Sequence, residues 1–354
     1  MKKMIFFLLL VFTFITNVQA SAECEIVMDA DSGRILHAKN ITEKKLIAST
    51  TKIMTALVVL NNADINSTIT VGDEVNKAYG SAIYIKEGEV LTIKDLLYGL
   101  MLRSGNDAAI VLATNVAGSI PAFAMLMNET AKSIGMKDTI FYNPHGLDEE
   151  TENKSTVYDM ALLMREAMKN KYFQKLTSTK RYTTKTNLNT YDWYNKNKLL
   201  TDYKYATGGK IGYTMRAKHT FVSSASKDGK NLIVATFVDS NRFITHANLY
   251  ERYFDDYKKY NLIDKNNLGL NYKRGYKVFT LESFDMLLKE TELNHVKKEV
   301  VFYNNIEVGK NATVIGNISI SLNNTVYRRL NIYASKNEVK KKNIIDKIKD
   351  LLKW

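Results

Sequence analysis

The chain reads as an α+β protein: a five-stranded antiparallel sheet covered by helices, then a small β domain and a terminal amphipathic helix. Three observations predict this. Two short strand-like runs at 25–30 and 34–38 are joined by the turn signal Asp31-Ser-Gly33. Three more, at 206–214, 220–225 and 232–239, follow one another much later, the last pair across Asp228-Gly229. The residues between them carry apolar recurrence at helical spacing, so the sheet is assembled from both ends of one domain.

Domain boundaries follow from changes of character along the chain. Met1-Lys-Lys-Met4 is followed by an apolar run over 5–18 and then Gln19-Ala-Ser-Ala22. That is a secretory signal, cut near Ala20 or Ala22 (segment 1–22), and its apolar run is too short to span a bilayer. Residues 23–262 form the main domain. From 263 to 335 the pattern alternates in the β manner over 276–281, 296–303, 312–321 and 326–333. Residues 336–354 are basic, with Ile344, Ile345, Ile348, Leu351 and Leu352 on one helical stripe. Such a helix packs between domains or lies on a membrane surface, and its charge favours the membrane, which it is too short to span.

Bulk composition is that of an ordinary globular protein, 45% hydrophobic and 25% charged, with only two prolines and so no proline-rich linker. The net charge of +13 invites an anionic partner. The lysines are spread out, and no zinc-finger or aromatic RNA-binding signature accompanies them, so nucleic acid is not expected. A membrane surface or an anionic wall polymer fits the charge and the export signal. The single cysteine, Cys24, cannot form an internal disulfide. Its place after the signal raises lipid attachment, but bulky Glu23 stands where a small residue is needed, so Cys24 reads as the start of the first strand.

Ser49 and Lys52 stand three residues apart where polar 42–45 gives way to the helical recurrence of Ile53, Met54, Leu57 and Val58. That spacing puts both side chains on one helix face, near the positive end of the dipole. Taken alone, the pair also suits a capping serine and a surface lysine. To act chemically the serine needs a neighbour to take its proton. A lysine does so only if burial or a second cation lowers its pKa from ~10.4 towards ~7–8. The pair therefore demands a second cation, a proton relay and an oxyanion site elsewhere in the chain.

Minor strands are expected at 68–71 and 82–85. Thr92-Ile-Lys-Asp95 is a capping box opening a helix with Leu96, Leu97, Leu100 and Met101 on its buried side. That helix breaks at Arg103-Ser-Gly-Asn106, and Ala108, Val111 and Leu112 start another. Further helices are expected at 122–134, 157–168 and 251–260, with a turn at 142–147.

Ser49-x-x-Lys52, Ser104-Gly-Asn106 and Lys210-x-Gly212 occur in the order and at the spacings used by penicillin-recognising serine enzymes. With Ala48-Ser-Thr-Thr-Lys-Ile-Met-Thr-Ala56 and Asn143-Pro-His-Gly-Leu147, roughly residues 24–260 resemble the low-molecular-mass penicillin-binding proteins, the D-alanyl-D-alanine carboxypeptidases of bacterial cell walls. The resemblance implies the penicillin-binding (serine β-lactamase-like) fold, no cofactor, peptidoglycan stem peptides ending in D-Ala-D-Ala as substrate, and acylation by β-lactams. It also implies roles: Ser49 as nucleophile, Lys52 as base, and Ser104 as relay with Asn106 and Lys210. The N–H groups of Ser49 and Tyr213 would form the oxyanion hole. Gly212 would let substrate lie along its strand, and Thr214 and Arg242 would hold the substrate carboxylate. One departure stands out: the family reads Lys-Thr-Gly, and here Ile211 replaces the threonine. The lost hydroxyl implies reduced affinity or altered specificity rather than lost chemistry.

Other chemistries fare worse. Residues 149–153 superficially match the Glu-x-x-x-Asn loop of class A β-lactamases, but read as an exposed acidic loop. The five histidines show no metal-ligand spacing, which argues against a zinc peptidase. A wall- or penicillin-binding protein that has lost turnover remains the second functional class, which Ile211 makes conceivable.

Overall fold

The computed structural model describes residues 22–273, 275–309 and 311–336. The secretory signal and the terminal helix expected from the sequence lie outside these residues, apart from Ala22 and Lys336 at their inner ends. Strands β1 (Cys24–Asp29) and β2 (Ile35–Lys39) form the first hairpin. Strands β3 (Arg181–Lys185) and β4 (Thr190–Tyr194) form a separate one, and β5 (Ala206–Thr214), β6 (Lys218–Lys227) and β7 (Lys230–Phe237) form a meander. The main sheet has the order β2-β1-β7-β6-β5, antiparallel throughout. Both chain ends thus contribute to it, as the strand pattern predicts. Cys24 opens β1 as a buried residue, its thiol pushed up to about 11 by burial and by Glu43.

Helices α1 (Lys52–Asn62), α2 (Ile93–Tyr98), α3 (Asn106–Ala117), α4 (Ile120–Ser133), α5 (Val157–Ala167) and α6 (Lys171–Ser178) cover one face of the sheet. Their shared core takes Ile26, Met28 and Val222 from the strands. The intervening Val27 and Phe221 face the other side, as a period of two requires, and pack there with the single turn α7 (Leu199–Asp202) and with α8 (Arg242–Asp256). Buried His246 sets α8 on the sheet through Ser223 (2.7 Å) and Thr236 (3.0 Å).

Local expectations fared unevenly. The Thr92/Asp95 capping box forms as predicted, with reciprocal bonds of 3.1 and 3.0 Å. Thr68–Thr70 is a strand, paired with Val90–Thr92, but residues 82–85 are not. Their N–H groups go to the Asp107 carboxylate, so the segment is extended without a strand partner. The closing helix starts at Arg242 rather than 251, because the apolar stripe His246, Tyr250, Tyr253, Phe254 already runs there. It stops at Asp256, and Lys258–Ile263 instead pairs with Phe284–Leu288, a strand not foreseen. The segment between Met168 and Ala206 has no assignment from the sequence; it supplies α6, the β3–β4 hairpin and α7.

The β domain has its own core, including Ile263, Phe284, Met286, Ile318 and Ile332, beneath a four-stranded sheet. It is fastened to the first hairpin by buried groups. Asp29 accepts the Leu287 N–H (3.1 Å), while Arg34 donates to the Leu287 carbonyl (2.8 Å) and pairs with Glu292.

Candidate active site

The site forms where α1, the α2–α3 elbow and the edge strand β5 converge. Ser49 lies in a 3-10 turn, Ala48–Thr51, that runs directly into α1. Ala48 holds a left-handed φ of 47°, and the turn is fixed from behind by residues 142–147. A Cβ on Gly146 would stand 1.9 Å from the Ala48 carbonyl oxygen, so only glycine fits. Asn143 caps that loop by accepting the Gly146 N–H (2.6 Å), and Thr55 of α1 donates to the Pro144 carbonyl (2.6 Å). Buried Asn153 ties the Asn143 carbonyl (2.8 Å) to the Thr51 hydroxyl (3.1 Å).

Lys52 is wholly buried. Its Nζ lies 3.1 Å from Ser49 Oγ, 2.7 Å from Asn106 Oδ1 and 2.6 Å from the His145 carbonyl. Burial first, and the Lys210 charge second, hold it well below the usual lysine range. Lys210 is the second buried cation, with Nζ 3.1 Å from Ser104 Oγ and 2.8 Å from the Ile211 carbonyl. Burial, helped by Lys196, lowers it to about 7. Ser104 sits at the elbow with φ 65°, after a π-helical turn over Gly99–Arg103, and Asn106 then opens α3. The carbonyl of His145 rather than its ring serves the cluster; burial and the Lys52 charge depress the ring to about 3.

Ser49, Lys52 and Asn106 thus form one bonded group and Ser104 with Lys210 a second, near enough for the Lys210 charge to act on Lys52. Gly212 lies against the nucleophile turn: a Cβ there would stand 2.9 Å from the Ser49 nitrogen and 2.4 Å from Thr220 Oγ1. The Tyr213 N–H follows on the same edge strand. Thr214 and Arg242 are engaged differently from the expectation. The Thr214 hydroxyl donates to Asp148 (2.6 Å). Arg242 opens α8 with its guanidinium 4.7 Å from the Phe243 ring, and its Nε has no partner among the described residues. Burial first and the Arg242 charge second depress the His219 ring, which itself packs 4.6 Å from Tyr213. Ile211 points away from Lys210, towards Phe221 and the apolar layer under α8.

Several contributors escaped the sequence. Asp107 fixes residues 83–85 beside the cleft, and its position directly after Ser104-Gly-Asn106 was the available signal. Asn143 stood within the quoted Asn-Pro-His-Gly phrase. Lys196 and Asp148 had no spacing to mark them; Asn153 ended the Glu-x-x-x-Asn spacing of a loop read as exposed, yet it is buried behind the Ser49 turn.

Ser49 and Ser104 each lie 3.1 Å from a buried lysine nitrogen, and comparison with known proteins gives the family of the chain. A family profile described as D-alanyl-D-alanine carboxypeptidase matches residues 13–241. The chain belongs to that family. It is similar to the D-alanyl-D-alanine carboxypeptidase DacF of Bacillus subtilis, 33% identical over 302 residues, covering 80% of this chain and 77% of the relative. A crystal structure of the D-alanyl-D-alanine carboxypeptidase from Mycobacterium tuberculosis superposes with a TM-score of 0.63 at 32% identity, over 66% of this chain and 91% of its own. Penicillin-binding protein 6B from Escherichia coli matches with a TM-score of 0.68 at 27% identity, over 88% and 94%. The family's penicillin-binding fold is therefore the fold of this chain.

Lys210 titrates at about 7 in the folded protein and near its ordinary 10.5 when unfolded. Between those values the unfolded chain binds more protons, so this lysine makes stability rise with pH. Wild type should therefore gain thermal stability relative to Lys210→Met as pH is raised from about 7 to about 9.5. Melting curves of both proteins across that range test this; a stability difference independent of pH contradicts it.

Proposed function

We propose that the protein is a serine D-alanyl-D-alanine carboxypeptidase that trims the terminal D-alanine from peptidoglycan pentapeptide stems. The observation that carries this is the bonding of Lys52. A neutral amine has two N–H donors and one lone pair. The Asn106 and His145 oxygens, at 2.7 and 2.6 Å, take the two donors. The lone pair is then left for the Ser49 hydroxyl at 3.1 Å, which is the arrangement a general base requires.

In this mechanism Ser49 Oγ attacks the carbonyl of the penultimate D-alanine as Lys52 takes the hydroxyl proton. The N–H groups of Ser49 and Tyr213 receive the oxyanion. The peptide C–N bond breaks, and Ser104 passes a proton to the departing amine of the last D-alanine. Asn106 orients Lys52, and Lys210 orients Ser104. Water then attacks the acyl-enzyme, Ser49 regains its proton, and the shortened stem leaves. Lys210 and Arg242 are the cations available for the terminal carboxylate. Thr214 joins them only by giving up its bond to Asp148. β-Lactams would acylate the same oxygen.

One alternative loses support from particular residues. A class A-like β-lactamase needs a carboxylate over Ser49, whereas Glu149 is exposed and interacts with Tyr79, and Asn153 is spent on the turn behind Ser49. A binding protein acylated without turnover would need the same depressed lysine, so D-alanine release is what separates it from the peptidase. The N-terminal segment supports export, to the compartment where the wall lies. No single helix among the described residues is long and apolar enough to cross a membrane. Attachment to the outer face of the cytoplasmic membrane therefore rests on the terminal amphipathic helix, with residues 263–335 as the spacer domain.

Labelled penicillin should form a stable adduct with wild type and none with Ser49→Ala, and D-alanine release from a pentapeptide should fall by about 10³-fold or more in that variant. Adduct formation without D-alanine release would establish the binding protein instead. Deleting residues 340–354 should free the protein from membranes at unchanged soluble activity; a truncated protein that still pellets with membranes refutes the anchor.

A further inference from the structure

A groove of about 610 Å³ opens beside the catalytic cleft. One wall is the loop at 82–86, the other the β3–β4 hairpin, and Arg103 closes the end next to Ser104. Two exposed rings flank it, Tyr84 (77% exposed) and Tyr194 (55%). Half-buried Tyr191 and buried Trp193, their rings 4.9 Å apart, lie on the inner face of the hairpin and support it. Exposed tyrosines at this density are not needed for folding.

The display of Tyr84 is built. Its φ is 64°, a left-handed conformation that a bulky residue rarely adopts. The Asp107 carboxylate imposes it by accepting the N–H groups of Ile83 (3.0 Å), Tyr84 (2.7 Å) and Ile85 (3.3 Å) in succession. The Tyr191 hydroxyl supports the same turn through the Tyr84 carbonyl (3.4 Å) and Glu89 (3.0 Å). Strain of this kind is kept where a surface must be held ready. Arg181 lies over the Tyr194 ring at 5.2 Å and is paired with Asp192, while Lys86 and Arg103, which donates to the Tyr194 carbonyl (3.4 Å), line the polar edge of the groove.

We propose that this groove binds the saccharide to which the stem peptide is attached, so that the enzyme prefers a glycan-linked pentapeptide over the free peptide. This rests on the peptidase function proposed above. Five extended residues span at most about 17 Å, so the sugar at the head of a stem whose last two residues lie at Ser49 falls within that radius. The groove adjoins the site along the chain, since Arg103 in its lining directly precedes Ser104. Asp107, which clamps Tyr84, directly follows Asn106, and Asn106 Oδ1 is 2.7 Å from Lys52. Pyranose rings present C–H faces that stack on flat aromatic rings, while their hydroxyl and acetamido groups meet polar side chains at the rim. A groove reading the peptide alone would instead be expected to carry paired backbone donors and acceptors along an open strand.

The test compares kcat/KM for an acylated dipeptide ending in D-Ala-D-Ala, the free pentapeptide and the disaccharide pentapeptide. Tyr84→Ala and Tyr194→Ala should each lose about three- to tenfold on the disaccharide substrate and less than about twofold on the other two. Tyr84→Phe should retain wild-type values, and the penicillin acylation rate should be unchanged in all three variants. Equal losses on pentapeptide and disaccharide pentapeptide would assign the groove to peptide, and no loss on any substrate would overturn the proposal outright. Saturation-transfer NMR with the disaccharide tetrapeptide supplies a readout free of turnover. Sugar protons should saturate in wild type and not in Tyr84→Ala; sugar signals that persist in the variant refute the groove. If wild type cleaves none of the substrates, the peptidase function fails, and the NMR result still decides the groove.

Discussion

Two lysine side chains are buried side by side, and much of the surrounding architecture follows from that constraint. An ammonium removed from water is costly unless it is paired, and among the described residues no carboxylate hydrogen-bonds to either Nζ. Burial therefore drives protons off. Lys210 falls to about 7, and Lys52, against the further charge of Lys210, falls well below its usual range. A depressed Lys52 beside the Ser49 hydroxyl is what the proposed nucleophile role of Ser49 depends on.

Such a site needs rigid walls, and most are backbone. The Ser49 turn is pressed between Gly146 behind and Gly212 in front, at distances no larger residue tolerates. Asn143 and Asn153 fasten the rear loop, Thr220 donates to the Ile47 carbonyl at 2.9 Å, and Asp107 fixes the loop above the elbow. The left-handed Ala48, Tyr84 and Ser104 all lie in this ring. Left-handed residues also occur at Lys218, which opens β6, and at Val238, just past β7, so those around the site are part of a wider set.

Much of this was legible in the sequence, and the reasons differ by element. The sheet was readable because period-two strands with Gly-containing turns leave a local trace, and the Ser49, Ser104 and Lys210 motifs because catalysis fixes residue types at short spacings. The loop at 82–85 misled because an extended backbone satisfied by one side chain has the same alternation as a strand. The helix from Arg242 was placed too late because a stripe containing His246 and three aromatics has low apolar contrast. The opposite facing of Ile211 and Lys210 follows from the period of two, but that the Ile211 face is the one covered by α8 depends on long-range packing. Arg242 opens α8, and its place beside His219 depends on the same packing.

The most direct test of the account is the protonation state of Lys52 itself. NMR titration of 13C-labelled lysine methylenes, with Lys52 assigned through Lys52→Arg, should show this side chain neutral at pH 8. Its titration should move upward in Lys210→Met, where the neighbouring charge is gone. A Lys52 that remains charged at pH 8 and titrates at its ordinary 10.5 would contradict the account.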